Sequence, residues 1–287
     1  MTAPKKFSLS LAALQSLVWR PHVSSPLEAG RTRAPQATEP TRIIILGALS
    51  AVAEAAAREW SSRGGAKLML VGRDASRLEA VASDLRLRGA KAETFVTDLS
   101  TADTEATLAQ LVARLGGIDI VLVAYGMLGN QSIAERSPAD AHKILVTNFL
   151  SAASWCLAAA EAIASQNRGS LVVIGSVAGD RGRASNYIYG AAKGGLGILV
   201  EGIAHRLAHC GARAVLIKLG FVDTPMTAHI EKKGLLWAKP QNVAKLIVKI
   251  AESKTHNRPV VYAPSYWRWI MLVIRNVPAQ LFHKTRF

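Results

Sequence analysis

The chain has 287 residues, half of them hydrophobic, and a formal net charge of +15 at pH 7, a length sufficient for one sizeable core. The charge favours an anionic partner, such as a phosphorylated cofactor or an acidic membrane surface, over nucleic acid, because the basic residues are scattered without interleaved aromatic residues. Cys156 and Cys210 form no disulfide framework and His205 and His209 lack a partnering carboxylate motif, so we expect a cytoplasmic protein without a metal site.

Residues 1–41 are rich in proline, serine, alanine and basic residues, with one short apolar patch at Leu9–Trp19. This composition predicts a basic, disordered extension ahead of the fold. A targeting peptide is the alternative, because few acids and several arginines suit one. The patch lacks a clear small-residue cleavage site, which favours the extension.

Regular patterning begins after this segment. The apolar run Ile43–Leu46 predicts a buried strand, a turn of small residues follows, and Glu54–Arg63 predicts a helix. This order is typical of a dinucleotide-binding unit, in which Gly47 lets the backbone approach a pyrophosphate at the helix amino end. We expect Ser50 to cap the helix and to bond a phosphate or ribose oxygen. Two alanines stand where such turns carry further glycines, Ala51 and Ala53.

The second predicted strand, Ala66–Val71, ends before Arg73. An arginine at this place pairs with the 2′-phosphate of NADP, whereas an acid there holds the ribose 2′-hydroxyl of NAD. Arg73 therefore favours NADP(H). NAD(H) is the alternative, because Asp74 follows directly.

After helix Ala75–Arg88 and strand Lys91–Val96, Asp98 and Leu99 reach the same predicted edge of the sheet. Asp98 is placed to bond an adenine amino group, or else to cap the next helix. That helix and the next buried strand are predicted at Asp103–Leu115 and Ile118–Val123. The following segment carries Ala124 and Gly126, where backbone is expected to lie against the cofactor.

A long apolar helix is predicted over Ala139–Ser165, and it contains the polar Asn148. A buried amide needs a partner. Asn148 either relays protons through water to Lys193 or bonds a neighbouring backbone carbonyl.

The central strand, Ser170–Ile174, is followed by Ser176 and by helix Ser185–Cys210 with Tyr189 and Lys193. Side chains four residues apart share a helix face, where the ammonium is expected to lower the phenol's pKa toward neutrality. We expect Ser176 and Tyr189 to hydrogen-bond one substrate oxygen, where the serine stabilises developing charge and the tyrosine delivers a proton. Lys193 is expected to bind a ribose of the nucleotide. A Tyr and a Lys at this spacing commonly lie on an ordinary helix surface without any catalytic role. The serine and the nucleotide-binding pattern upstream favour a catalytic site.

Strand Ala212–Lys218 leads into the loop Leu219–Met226, in which Val222 and Thr224 are expected at the cofactor, Thr224 on the nicotinamide amide. Helix Gln241–Ser253 and strand Pro259–Tyr262 then complete the pattern. Strands that alternate with helices predict an α/β protein: a single Rossmann-type, doubly wound parallel sheet with helices on both faces, over residues 42–264.

The tail, residues 265–287, is apolar, aromatic and basic, and the chain has no acid after Glu252. It is too short and too charged to span a bilayer. Trp267, Trp269, Arg268 and Arg275 suit a helix at the surface of an anionic membrane. The alternative is a terminal helix packed on the domain or on a second copy. In either case it is expected to form a wall of an apolar substrate entrance.

These residues resemble the short-chain dehydrogenase/reductases over about residues 41–265. The resemblance rests on Gly47–Ala53, Asp98, Asn148, Leu219–Met226 and the spacing of the serine, tyrosine and lysine. It implies a carbonyl reductase with the catalytic set Asn148, Ser176, Tyr189 and Lys193. It also implies a homo-oligomer, with the long helices Ala139–Ser165 and Ser185–Cys210 as the expected interface.

Three further runs, Val123–Gly129, Ser176–Leu196 and Val260–Phe282, are similar to those of decaprenylphosphoryl-2-keto-erythro-pentose reductases. That resemblance implies reduction of the 2-keto group of a polyprenylphosphoryl pentose for cell-wall polymers. It also implies an oxidase partner that supplies the keto sugar. If the tail lies on an anionic membrane, the expected place of this cytoplasmic protein is peripheral to the inner face of that membrane.

Two other functions remain open from the residues. One is reduction of another hydrophobic ketone, such as a ketoacyl thioester. The other is a dinucleotide-binding protein without turnover, which the missing turn glycines suggest but the complete catalytic set argues against.

Overall fold

A seven-stranded parallel sheet forms the centre of the protein in a computed structural model that describes residues 39–228, 230–231, 236–253, 255–256 and 258–285. Its strand order is β3-β2-β1-β4-β5-β6-β9, and β7 and β8 form a separate parallel pair. The predicted extension over residues 1–41 lies almost wholly outside the described residues. The strands are β1 (Thr41–Leu46), β2 (Ala66–Gly72), β3 (Lys91–Val96), β4 (Ile120–Val123), β5 (Gly169–Ser176), β6 (Ala212–Leu219), β7 (Phe221–Val222), β8 (Trp237–Ala238) and β9 (Val260–Ala263).

Helices cover both faces of the sheet. On one face α1, α2 and α8 bury side chains such as Trp60 and Ile247, and on the other α3, α6 and α7 bury Trp155 and Val200. The helices are α1 (Ala51–Ser62), α2 (Ala75–Leu87), α3 (Thr104–Leu115), α4 (Gln131–Ala134), α5 (Pro138–Leu145), α6 (Ser151–Ser165), α7 (Tyr187–Leu207), α8 (Pro240–Glu252), α9 (Trp267–Asn276) and α10 (Ala279–Phe282).

Side-chain alternation along β1 shows why the predicted architecture is correct. Ile43 and Ile45 enter the core on one face, while Ile44 and Leu46 enter the core on the other. A strand that is apolar at every position must be covered on both faces, as parallel strands in doubly wound sheets are. The predicted Rossmann-type α/β fold is confirmed.

The strand order places the predicted site. From β1 the chain winds outward through β2 and β3, then returns to β4 and winds the other way, so the order reverses between β1 and β4. Ligands bind at the carboxyl ends of strands beside such a reversal. Ser176 ends β5 opposite Leu219 of β6, on this same edge.

The predicted helix Ala139–Ser165 is not continuous. A π-helical turn at Val146–Leu150 separates α5 from α6, and the short α4 before them was not predicted. The stretch Pro138–Ser165 is long and apolar enough to cross a membrane, but in the structure it packs against α3, α7 and β5. Some apolar side chains of this stretch are exposed, as is Ile198 of α7. They would be available to an interface between two copies, and the homo-oligomer stays a prediction.

The tail packs on the domain through one face only. Trp267 and Met271 of α9 are buried against Val177. The opposite face exposes Trp269, Leu272 and Val273 to the extent of 63%, 52% and 67%. Of the two predicted arrangements, the packed helix is present, and its outer face stays apolar and uncovered within the described chain.

Candidate active site

One cleft of about 960 Å³ opens at the carboxyl edge of the sheet. It brings together most of the predicted site residues, which come from seven segments of the chain. Those that line it are Gly47, Ser50, Arg73, Asp98, Leu99, Ala124, Gly126, Ser176, Tyr189, Lys193 and Thr224. Asn148 and Val222 do not.

Small residues hold α7 close to Ser176. A Cβ atom at Gly179 would come within 2.6 Å of the Gly194 nitrogen, and one at Gly190 within 2.8 Å of the Ala178 carbonyl oxygen. Real side chains do not tolerate such distances, so a larger residue at either position would push the helix outward. The glycines and alanines around Tyr189 therefore set the distance between the helix and the end of β5.

Ser176, Tyr189 and Lys193 meet beneath this contact. The Ser176 hydroxyl oxygen accepts a hydrogen bond of 3.1 Å from the Ala178 backbone N–H. The Lys193 ammonium donates to the Ile174 carbonyl oxygen at 3.1 Å and lies 6.0 Å from the centroid of the Tyr189 ring. Tyr189 and Lys193 are both buried.

The expected lowering of the Tyr189 pKa is wrong for this structure. Burial raises the pKa of the phenol, and the hydrogen bond with Ser176 offsets only part of that effect. Burial also lowers the pKa of Lys193 to about 8. In both cases removal from water disfavours the charged form, and it is the largest effect on each group. At neutral pH the tyrosine is therefore a protonated phenol.

Asn148 is fully buried, and the hydrogen bonds of its side-chain amide are to backbone groups. Its Nδ2 group donates to the carbonyl oxygens of Met127 at 2.8 Å and Ile144 at 2.9 Å, and its Oδ1 accepts from the Met127 N–H at 3.1 Å. Of the two predicted roles, the structure shows the bond to backbone carbonyls. These bonds tie the π-helical turn to the segment carrying Gly126, and the catalytic role of Asn148 stays a prediction.

The turn after β1 fits a dinucleotide. Gly47 has a φ of +84°, and a Cβ atom there would lie 2.5 Å from the Cβ of Tyr125. Ser50 caps α1 by accepting from the Ala53 N–H at 3.2 Å. The first-turn N–H groups of Ala51 and Val52 have no acceptor within the helix, and both residues line the cleft. Such N–H groups suit a pyrophosphate.

The missing glycines leave this turn intact. Among the described residues that have positive φ, only Gly47 belongs to this turn, so Ala51 and Ala53 keep ordinary helical conformations. Ala53 is fully buried, where a small side chain suffices. Conformational freedom is required only at the first position.

Two arginines follow β2, Arg73 directly after the strand and Arg77 in the first turn of α2. Arg73 lines the cleft and forms no ion pair with a described residue. Asp74 is occupied as the cap of α2, because its carboxylate accepts from the Arg77 N–H at 3.0 Å. Arg77 also lines the cleft and was missed from the sequence. Its spacing of four residues from Arg73, at the start of a helix, was the available signal.

Asp98 lines the same end of the cleft but does not cap a helix. Its Oδ1 accepts from the N–H and hydroxyl of Ser100, which hold the pKa of the carboxyl below its usual range. Asp103 caps α3 instead. The alternative role predicted for Asp98 is therefore wrong.

Val222 does not reach the cleft. Its side chain is buried in the core with residues of α8, and its carbonyl oxygen accepts a 2.6 Å bond from the Thr227 hydroxyl. The cofactor-binding role predicted for Val222 stays a prediction, and the buried side chain leaves only its backbone for such a contact. Thr224 does line the cleft, two residues further on.

Aromatic side chains form the opposite wall. Phe221 stacks on Trp237 with 5.2 Å between ring centroids and meets Trp267 edge-on at 5.4 Å. Trp267 comes from the tail and lies over Gly220, where a Cβ atom would clash with the indole. Tail and loop therefore combine into one apolar surface beside Ser176.

The sequence matches a known family profile, "short chain dehydrogenase", over residues 41–234. It is 31% identical over 246 residues to an uncharacterized oxidoreductase of the mprA 5′ region in Streptomyces coelicolor, covering 85% of this chain and 96% of that protein. It is 34% identical over 239 residues to an uncharacterized oxidoreductase of Mycobacterium tuberculosis strain H37Rv, covering 82% of this chain and 93% of that protein.

Solved structures share the fold. A short chain dehydrogenase/reductase family protein superposes with a TM-score of 0.69 and 26% identity, covering 78% of this chain and 95% of its own. Levodione reductase superposes with a TM-score of 0.70 and 24% identity, covering 78% and 96%.

Proposed function

Because the chain belongs to the short chain dehydrogenase family and is an oxidoreductase, we propose that it reduces a carbonyl group to an alcohol, with Tyr189 as the acid. The observation that carries this proposal is the meeting of Ser176 and a protonated Tyr189 in one cleft. A phenol whose pKa is raised keeps its proton at neutral pH, as a donor in a reduction must.

The nicotinamide cofactor, when bound, supplies a hydride that adds to the carbonyl carbon. Tyr189 gives its phenolic proton to the carbonyl oxygen, which completes the alcohol. The Ser176 oxygen accepts from Ala178, and its O–H, which lies beside Tyr189, can donate to the same substrate oxygen. The Lys193 ammonium uses one N–H on Ile174, which leaves two for ribose hydroxyls. Asn148 bonds the backbone of Met127 and so positions the segment that carries Gly126.

We assign the cofactor as NADP(H), since the Asp74 carboxylate is occupied as a helix cap, while Arg73 lines the cleft and forms no ion pair with a described residue. Replacing Arg73 by serine is expected to raise KM for NADPH by about 10- to 100-fold, the effect of losing about 1.5–3 kcal/mol of hydrogen bonding to a charged group. KM for NADH should change little, which makes NADH the internal control. An unchanged ratio of the two KM values would contradict the assignment.

The proposed substrate is a polyprenylphosphoryl 2-keto-pentose. The aromatic wall of Phe221 and Trp267 offers an apolar surface beside the catalytic groups, and the chain's charge of +15 favours an anionic substrate. The similarity of Val260–Phe282 to reductases of that substrate supports the same choice. A separate oxidase must then supply the keto sugar.

Consumption of NADPH and of NADH tests this proposal directly. Purified protein is offered a polyprenylphosphoryl 2-keto-pentose and, separately, a ketoacyl thioester. Turnover of the keto sugar alone is expected. Turnover of the thioester alone would leave the carbonyl reductase standing and overturn the substrate.

The outer face of α9 is proposed to touch an anionic membrane. Trp269, Leu272 and Val273 are exposed there beside Arg268, and the tail carries no acid to repel such a surface. We expect the protein to sediment with vesicles of anionic lipid, and Trp269→Ser with Val273→Ser to reduce that binding severalfold. The same double substitution should leave reduction of a water-soluble ketone unchanged. Equal binding by the variant would overturn the proposal.

A further inference from the structure

Arg183 is a cation of the cleft that the proposed reaction does not use. It lies in the loop between the turn Val177–Gly179 and α7, lines the cleft, and is partly buried. Arg181, two positions earlier, is bonded to the tail instead. Arg181 donates to the carbonyl oxygens of Ile274 and Val277, and its guanidinium lies 3.8 Å from the centroid of the Phe282 ring. Arg181 holds the tail, whereas Arg183 faces the cleft.

The loop that carries Arg183 is anchored at its start. Asp180 is buried and its carboxylate accepts from the Lys218 ammonium at 2.5 Å and from the Tyr262 hydroxyl at 2.8 Å. With Arg181 fixed to the tail, two successive side chains of the loop are held by other elements. The position of Arg183 is therefore set by the fold.

Arg183 has no counter-ion among the described residues. None of its guanidinium nitrogens forms an ion pair or a hydrogen bond with them, and Nε is buried without a partner. Burial alone lowers its pKa, with no carboxylate to oppose the effect. Partial burial of a cation without a counter-ion costs free energy. An anion that enters the cleft would pair with Arg183 and offset that cost.

Asn186 supplies a second polar atom without a partner. Its Oδ1 is buried and unbonded within the described chain, and it lines the same cleft. Its backbone N–H donates to the Arg183 carbonyl oxygen at 3.1 Å, so one turn carries both residues. A ligand that presents an anion next to a hydroxyl group would satisfy both side chains.

An anion bound by Arg183 would lie apart from the phosphate groups of the cofactor. Arg73 follows β2, while Arg183 follows β5, in the half of the sheet that ends at β9 and the tail. Arg183 also lines a smaller cavity of about 430 Å³, with Tyr187 and Phe282 of α10. It thus stands between the catalytic cleft and a recess beneath the tail.

We propose that Arg183 binds the phosphoryl group of the substrate, with Asn186 accepting a hydrogen bond from a hydroxyl of the attached sugar. The carbonyl end then lies at Tyr189 and the apolar chain leaves past Tyr187 and Phe282. This assignment rests on the proposed function for the sugar, but the phosphoryl site itself does not require turnover.

Binding to the protein saturated with NADP⁺ tests the site, because the cofactor then fills its own phosphate positions. The probes are geranyl phosphate and geraniol, which share the chain and differ in the phosphate, and binding is measured by calorimetry. The variants are Arg183→Met and, as a matched control, Arg136→Met. Arg136 is 84% exposed and lies outside the cleft.

We expect the wild-type protein and Arg136→Met to bind geranyl phosphate at least tenfold more tightly than geraniol. Arg183→Met should lose that preference while it binds geraniol and NADP⁺ as before, which also shows that it is folded. A preference that survives in Arg183→Met, or that is absent from the wild type, would overturn the site. If the preference depends on Arg183 but the keto sugar is not reduced, the substrate assignment fails and the phosphoryl site stands.

Discussion

Tyr189→Phe is expected to lower kcat for carbonyl reduction by about 10²- to 10⁴-fold, the usual contribution of a general acid. The variant keeps the ring that packs against Ala178 and Ile144 and removes only the hydroxyl. Its fold and its affinity for the cofactor should therefore stay unchanged. Steady-state rates with a saturating ketone, together with cofactor titrations, provide the measurement.

The same variant decides between an enzyme and a dinucleotide-binding protein without turnover. Wild-type turnover that disappears in Tyr189→Phe, with cofactor binding intact, is the outcome that the cleft predicts. Reduction at the wild-type rate by this variant would remove Tyr189 from the mechanism. Ser176→Ala serves as the companion variant, since it removes the second hydroxyl that faces the substrate oxygen.

Lys193→Met is expected to lower kcat/KM by at least about 10²-fold, as loss of one buried charged donor at a reaction centre does. The ammonium of Lys193 is buried between α7 and the end of β5, where it can hold ribose hydroxyls. Methionine fills similar space without charge or N–H groups, so packing is preserved.

The pH dependence of the wild-type protein tests the same residue. The pKa of Lys193 is lowered to about 8, so the ammonium is present below that pH and is lost as the pH rises through it. We expect kcat/KM, which reports ionisations of the free enzyme, to fall on the alkaline side with a midpoint near 8. The residual activity of Lys193→Met should lack this fall. A flat wild-type profile up to pH 10 would be inconsistent with the assignment.

Local patterns in the sequence were sufficient for the fold and for most of the cleft. Runs such as Ile43–Leu46, apolar at every position, require cover on both faces, and helices between the strands supply it. The carboxyl ends of parallel strands share one edge, so residues directly after strands, such as Arg73, Asp98 and Ser176, had to come together.

Long-range contacts explain what the sequence pattern missed. The π-helical turn forms because Asn148 bonds Met127, 21 residues away, and no periodicity within the helix reports that bond. Val222 turns into the core because β7 pairs with β8, whose position depends on a later segment. In the sequence Arg183 is one basic loop residue among several. Only the packing shows that Arg181 bonds the tail while the Arg183 guanidinium has no partner among the described residues.

Sequence patterns were sufficient to predict the Rossmann-type sheet, its ligand-binding edge, and the serine, tyrosine and lysine of the candidate site, because each depends on periodicity or on short spacing along one or two elements. The packed structure was needed for the direction of the pKa shifts of Tyr189 and Lys193, for the choice of the packed arrangement of the tail, and for the lack of a partner for the Arg183 guanidinium among the described residues. These depend on burial and on partners distant in sequence, since desolvation and pairing are properties of the packed protein.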